Sequence, residues 1–319
     1  MKPLVLNAWP RASREESLLC LESTATPTEV RVFGARLLPG GDYLVRIVLS
    51  GVGLAMAPDD ILVADGLIRK VRVSGQVAGP TPLTGTGTAV QPPVVTLDVT
   101  LEHNVQPTWT TIPGMPARTE LSFPREPLQA VFAGKTIAVD PGHGGRDRGV
   151  RGPVDLIEKN VAMDIAAHLK KMLTENGASV LMSRESDCDV DARGWAMALA
   201  ATEPHLLVEI HASGETDPMV RSYHIYARRE SEESAQAAEA VADALTERMG
   251  ITFGKVEWAD FPAIPLWPAV RVEPLCLTHF VDEANFRAPL FRKRMAQAIF
   301  NGISRYMGSV ARGGSARVG

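Results

Sequence analysis

Cysteine is scarce: Cys20, Cys188 and Cys276 are the only three in 319 residues. They are odd in number and far apart, which excludes a disulfide framework and a Cys-based zinc motif. They read as buried free thiols, packed as small hydrophobes. No apolar run reaches the roughly 20 residues that a membrane-spanning helix needs. The opening stretch MKPLVLNAWPRASREE has one early lysine and a short apolar segment broken by Asn7 and Pro10. It does not read as a secretory signal. Charge of one sign is lacking as well. The net charge is -4, and no basic run is concentrated enough to make nucleic acid an expected partner. What is present is 45% hydrophobic and 22% charged residues, enough apolar material for a core without disulfide staples. The length suggests two domains.

Residues 1–27 show no convincing period and read as an N-terminal extension. From Thr28 the pattern is that of strands. Val45, Ile47 and Leu49 alternate with neighbours that include Arg46, Val71 and Val73 flank Arg72, and Val95, Leu97, Val99 and Leu101 alternate with Thr96, Asp98 and Thr100. Period two of this kind describes a sheet with one wet face. Gly40-Gly41, Asp59-Asp60 and Asp65-Gly66 mark turns, and Gly79–Pro93 reads as a surface loop. Residues 28–123 are therefore expected to form a small all-β domain, a sandwich.

The texture changes at Pro124 and Pro127, which mark a linker over 124–134. Strands and helices then alternate through a domain spanning 135–308. Strands are expected at Lys135–Val139, Ala178–Met182, Leu206–His211, Ser222–Arg228 and Ala269–Glu273. Helices are expected at Glu158–Asn176, Val190–Ala201, Ser231–Met249 and Asn285–Met307. In the first helix Val161, Ile165, Leu169 and Met172 share one face, and Gly177 ends it. The alternation predicts an α/β domain, a mostly parallel sheet with helices on both faces. The tail 309–319 is small and polar and is expected to be disordered.

Three metal-ligand types sit where strands end or a helix begins. His143 lies in Asp140-Pro-Gly-His-Gly-Gly145, just after a strand. Glu158 opens the first long helix, and His211 ends the strand from Leu206. Ends of neighbouring parallel strands converge on one edge of a sheet, where open α/β proteins place ligands. Two imidazoles and one carboxylate suit a catalytic zinc with one position left open. Asp140 is available to orient a ligand imidazole. Glu209, two residues before His211 on the strand, points to the same side and is within reach of the site. Arg184 and Arg193 read as partners of acids inside the fold, and Trp267 as either cleft wall or core. Each residue also has a bland reading: a histidine is commonly a satisfied structural residue, and a glutamate opening a helix is favoured by the dipole alone. The other five histidines are given no role.

The ordered set Asp-Pro-Gly-His-Gly-Gly, Glu158-Lys159, Ser183-Arg184 with Asp187, Ile210-His211-Ala212-Ser213 and Val272-Glu273 resembles the AmiC-like, zinc-dependent N-acetylmuramoyl-L-alanine amidases from about Lys135 to Met307. The resemblance implies that His143, Glu158 and His211 bind Zn2+ and that Glu273 is the essential second glutamate. It departs from the family pattern at Pro274-Leu275, His279, Ser213 and Glu209. The implied reaction is hydrolysis of the amide between the lactyl group of N-acetylmuramic acid and L-Ala. Glu273 would take a proton from water and pass it to the leaving amine. Peptidoglycan or muropeptides are the implied partners, a monomer the expected state, and the cell envelope or exterior the expected location. The short segments after His211 and Arg229 leave no room for a helix that plugs the site, so an open site is expected. The stretch 28–123 resembles an AMIN-type domain. A zinc peptidase acting within the stem peptide and a non-catalytic peptidoglycan-binding or regulatory protein are the rival readings.

Overall fold

The computed structural model describes residues 3–55, 59–76, 92–261 and 267–316. The chain divides into two compact units, Met1–Leu128 and Gln129–Gly319.

The first unit carries ten strands: β1 (Leu4–Ala12), β2 (Glu16–Ser23), β3 (Glu29–Leu37), β4 (Tyr43–Ser50), β5 (Gly53–Leu54), β6 (Asp59–Leu62), β7 (Ile68–Gly75), β8 (Val94–Leu101), β9 (Thr108–Ile112) and β10 (Ala117–Pro124). They form two five-stranded sheets, ordered β5-β1-β2-β10-β9 and β3-β4-β8-β7-β6. Each buries one face. Val45, Ile47 and Leu49 of β4 lie beside Val95, Leu97 and Val99 of β8, while Leu19 and Leu21 of β2 pair with Leu121 and Thr119 of β10. On the wet face of the second sheet, Arg46 pairs with Asp98 at 2.7 Å and Arg72 with Asp60 at 2.9 Å, opposite charges facing across neighbouring strands.

Two expectations need correction here. Residues 1–27 are no loose extension; they supply β1 and β2. The period was hidden because the inward row of β2 mixes Ser17 and Ser23 with Leu19 and Leu21, while Cys20 on the other face is also buried, opposite Trp9 of β1. The stretch 124–134 is not a simple linker, since it contains α1 (Glu126–Phe132). Pro127 falls in the first turn of that helix, where a missing N–H costs nothing. The expected loop Gly79–Pro93 lies outside the described residues over 79–91.

The second unit continues with β11 (Thr136–Pro141), α2 (Glu158–Glu175), β12 (Ser179–Met182), α3 (Ala192–Thr202), β13 (Leu206–Ile210), β14 (His224–Arg228), α4 (Glu232–Met249), β15 (Glu257–Ala259), β16 (Ala269–Glu273), α5 (Phe280–Arg287) and α6 (Pro289–Ala316). Its six-stranded sheet runs β12-β11-β13-β16-β14-β15. The first four strands in that order are parallel; β14 runs antiparallel to β16 and parallel to β15. One face of the sheet, with Val139, Val208, Ile210, Val270 and Val272, is fully buried, and α2 and α4 cover it. On the other face Ala138, Leu207 and Ala269 pack with Leu199 of α3 and with Phe261, and Trp195 and Trp267 close the cluster. Trp267 is thus part of this packing.

The last helix differs from the expected Asn285–Met307. Pro289 lacks an N–H and Ala288 is extended, which splits the segment into α5 and α6. The second piece continues through Ala316, so the residues expected as a disordered tail are helical up to that point. Met295, Ile299, Ile303 and Met307 keep its inner stripe buried.

Candidate metal centre

The site starts from the end of β11. Ile137, Ala138 and Val139 are buried, so this strand is fixed and its C-terminal turn is delivered to the sheet edge. The turn bends sharply: His143 has φ +59°, and Gly144 and Gly145 also have positive φ. A left-handed conformation is uncommon for a residue with a Cβ, so the surroundings must hold it. Arg184 does much of this. Its guanidinium is buried and donates to the carbonyls of Pro141 (3.0 Å), Gly142 (3.1 Å) and Lys159 (2.8 Å). The sequence suggested acids as its partners; it holds backbone oxygens instead. Lys159 Nζ donates to Gly145 O at 2.7 Å and to Asp187, which also accepts the Gly145 N–H at 2.8 Å. Gly142 is required for a different reason: a Cβ there would lie 2.3 Å from the His211 ring.

Glu158 opens α2 with its side chain only 2% exposed. Its Oε2 stands 3.1 Å from His143 Nε2 and accepts the Val150 N–H at 2.8 Å. Its Oε1 stands 3.1 Å from His211 Nδ1 and accepts the Ala212 N–H at 2.9 Å. The two imidazoles meet edge to face with centroids 5.0 Å apart. One ligand atom from each of His143, Glu158 and His211 lies within 4.8 Å of the other two. Burial alone would push the Glu158 carboxyl up, but the hydrogen bonds from both histidines and from Ala212 and Val150 hold it well below the usual range. His143 is pushed up to about 9, first by its hydrogen bond to Glu158, against the opposing effect of burial, with Asp147 adding to the rise. A buried carboxylate satisfied by two imidazoles and two amides is a donor set that fits a divalent ion of the zinc type.

Residues 137–305, more than half of the chain, match the family of N-acetylmuramoyl-L-alanine amidases termed Amidase_3. The chain belongs to that family. Among curated relatives of this amidase group, it is 29% identical over 183 residues to the N-acetylmuramoyl-L-alanine amidase LytC of Bacillus subtilis, covering 56% of this chain and 37% of LytC. It is 28% identical over 207 residues to the probable cell wall amidase LytH of Staphylococcus epidermidis, covering 63% of this chain and 66% of that protein. The chain thus spans little more than a third of LytC. Among solved structures, the amidase AmiC2 of Nostoc punctiforme superposes with a TM-score of 0.51 at 25% identity, over 55% of this chain and 97% of that one. The Amidase_3 match starts at residue 137 and leaves the first unit outside it.

The remaining candidates are distributed as follows. The partner that holds the His143 ring is Asp147, whose Oδ2 lies 2.9 Å from Nδ1. Asp140 instead accepts a hydrogen bond from Ser183 Oγ. Asp147 was missed although it follows His143 by four residues, because the intervening Gly144 and Gly145 gave no period to place it on. Glu209 reaches toward the site edge but pairs with Arg271, whose Nε lies 2.7 Å from Oε2. Glu273 ends β16 opposite His224 of β14, and the His211 N–H donates to the carbonyl of the preceding Val272 at 3.0 Å. Burial raises its pKa, and the charges of His211, His224 and Arg271 pull the other way. Ser213 donates to the carbonyls of Ser222 and Leu275. Cys20 and Cys276 are buried as expected, whereas Cys188 is exposed beside the Gly144 turn. A cleft of about 730 Å3 is lined by His143, His211, Asp147, Glu209 and Arg271 among others.

Proposed function

We propose that this chain is a zinc hydrolase that cleaves the amide between N-acetylmuramic acid and L-Ala in peptidoglycan, working in the cell envelope. The observation that supports this most is the convergence of His143, Glu158 and His211 within 4.8 Å at the edge of an amidase-family sheet, with both imidazoles lining an accessible cleft. Their side chains would hold the zinc ion. When bound, zinc polarises a carbonyl and lowers the pKa of water toward ~7. The residues of the chain supply the rest. Asp147 orients the His143 ring, which fixes the nitrogen that faces Glu158. Glu273 acts as general base toward water and then returns the proton to the leaving amine nitrogen. A carboxyl raised by burial is better matched to that cycle near neutral pH than a solvated one.

The test is digestion of purified peptidoglycan with and without a chelator, with metal content measured in parallel. One zinc per chain and release of peptides with a free L-Ala amine are expected. Shortened stem peptides still attached to sugar would favour the peptidase reading, and intact wall with zinc bound would overturn hydrolysis altogether.

A further inference from the structure

Strand register places charged residues in a row just below the metal edge. Asp140 of β11 aligns with Glu209 of β13, Glu209 with Arg271 of β16, and Arg271 with Tyr226 of β14. The next row toward the edge holds His211, Glu273 and His224. The pattern repeats on neighbouring strands: Glu209 lies two residues before His211, and Arg271 lies two before Glu273, so each pair shares a face.

Glu209 and Arg271 form an ion pair at 2.7 Å in which Glu209 is 3% exposed and Arg271 26%. Both Nε and one terminal nitrogen of Arg271 turn to the same oxygen, Glu209 Oε2. The guanidinium lies over the Phe261 ring at 5.4 Å. Two side chains thus brace the guanidinium, Glu209 by charge and Phe261 by its ring face. Among the described residues no other acceptor takes its remaining N–H groups, and Arg271 lines the cleft together with His143 and His211. The other cation in the lining, Arg146, is almost fully exposed and bound to Asp189. Taking an ion pair out of water is seldom stabilising in itself. An arginine braced this way, with donors left over and facing a cleft, is instead ready to take a planar anion.

We propose that Arg271 is the specificity-determining residue of the site and receives a substrate carboxylate, carried by the residue that follows L-Ala. This rests on the amidase reading above. The placement follows from strand geometry. Two residues along β16 separate Arg271 from Glu273, about 7 Å at the rise of a strand. An extended peptide advances about 3.5 Å per residue, so a carboxylate one to two residues beyond the scissile amide falls at the guanidinium. Glu209 acts as a positioning residue that keeps the fork aimed.

The test compares two muropeptides that differ only in whether the residue after L-Ala carries a free carboxylate or the corresponding carboxamide. For the wild type, kcat/KM should favour the carboxylate form by about 10- to 100-fold, the range of a hydrogen bond to a charged group. In Arg271→Gln the ratio should collapse toward one. The double variant Glu209→Gln/Arg271→Gln should behave alike, and it avoids leaving a buried carboxylate unpaired should the single variant fold poorly. Arg271→Lys should keep part of the preference, because charge is retained and the fork is lost. Equal cleavage of both forms by the wild type, or an unchanged ratio in the variants, overturns the role of Arg271 and leaves the amidase reading standing. A zinc-loaded wild type that cleaves neither form overturns both.

Discussion

Asp147 and Glu273 are the two carboxylates through which single-residue experiments speak most directly. Asp147→Ala frees the His143 ring at Nδ1 and should lower zinc affinity by about 10- to 100-fold, measured by competition with a chromophoric chelator. Glu273→Gln should keep zinc at one equivalent and lose about 10²–10⁴-fold in kcat; a variant that remains fully active would move the base elsewhere. His143 sets the pH behaviour. Its folded pKa of about 9 lies above the ordinary histidine value of 6.5, so in the metal-free chain the His143–Glu158 pair contributes stability fully below about pH 6.5. That contribution is lost as pH rises through about 9. Zinc must displace the same proton, so apparent zinc affinity should climb about tenfold per pH unit on approach to pH 9. A flat profile in isothermal titration would be incompatible with His143 as a ligand. The three candidate ligands, which the structure brings together, were legible in the sequence because each falls at the end of a strongly patterned element. Asp147 and Arg271 were not, because what gives them a role is a turn conformation in one case and strand register in the other.

At the level of elements, the close crossing of α4 and α6 depends on Gly302. A Cβ there would lie 2.4 Å from Val241 Cα, so the two helices approach with no side chain between them. Gly302→Val should push them apart and destabilise the second unit by about 1–3 kcal/mol, as overpacked cores do. Denaturant unfolding followed by tryptophan fluorescence would measure it, and an unchanged midpoint would mean that α6 can shift at little cost. Long amphipathic helices were readable here to within a few residues, since α2 and α4 carry an uninterrupted 3.6-residue stripe. The break at Pro289 was not, because apolar residues on both sides of it, Phe286 and Met295, sustain the stripe. The β1–β2 pair was invisible for the opposite reason, its inward positions being shared with serines.

For the molecule as a whole, two architectures follow one another along the chain, and the alternation of texture at Pro124 divides it close to the observed boundary at Leu128. The family match and the three residues that could hold a metal all fall in the second unit. Zinc should therefore protect the second unit against unfolding, by about 4 kcal/mol at a thousandfold excess over Kd. Hydrogen exchange with and without zinc should show the gain in β11, β13 and the first turns of α2. Equal protection throughout residues 3–124 would contradict it. The second unit's fold was legible because parallel strands and helices alternate at regular spacing, and only part of the first unit's, in β4, β7 and β8, because Val, Ile and Leu recur there at every second position.

The reversed strand β14 also dictates where the chain will accept foreign sequence. Because it runs against its neighbour β16, the stretch from Ala212 to Tyr223 leaves and re-enters the sheet at the edge that carries His211. The turn at Glu230 lies at the opposite end of the same strand. A peptide tag spliced next to Thr216 would sit at the sheet edge that carries His211 and is expected to slow digestion of intact wall, while the same tag at Glu230 would trail from the far side and leave the digestion rate unchanged.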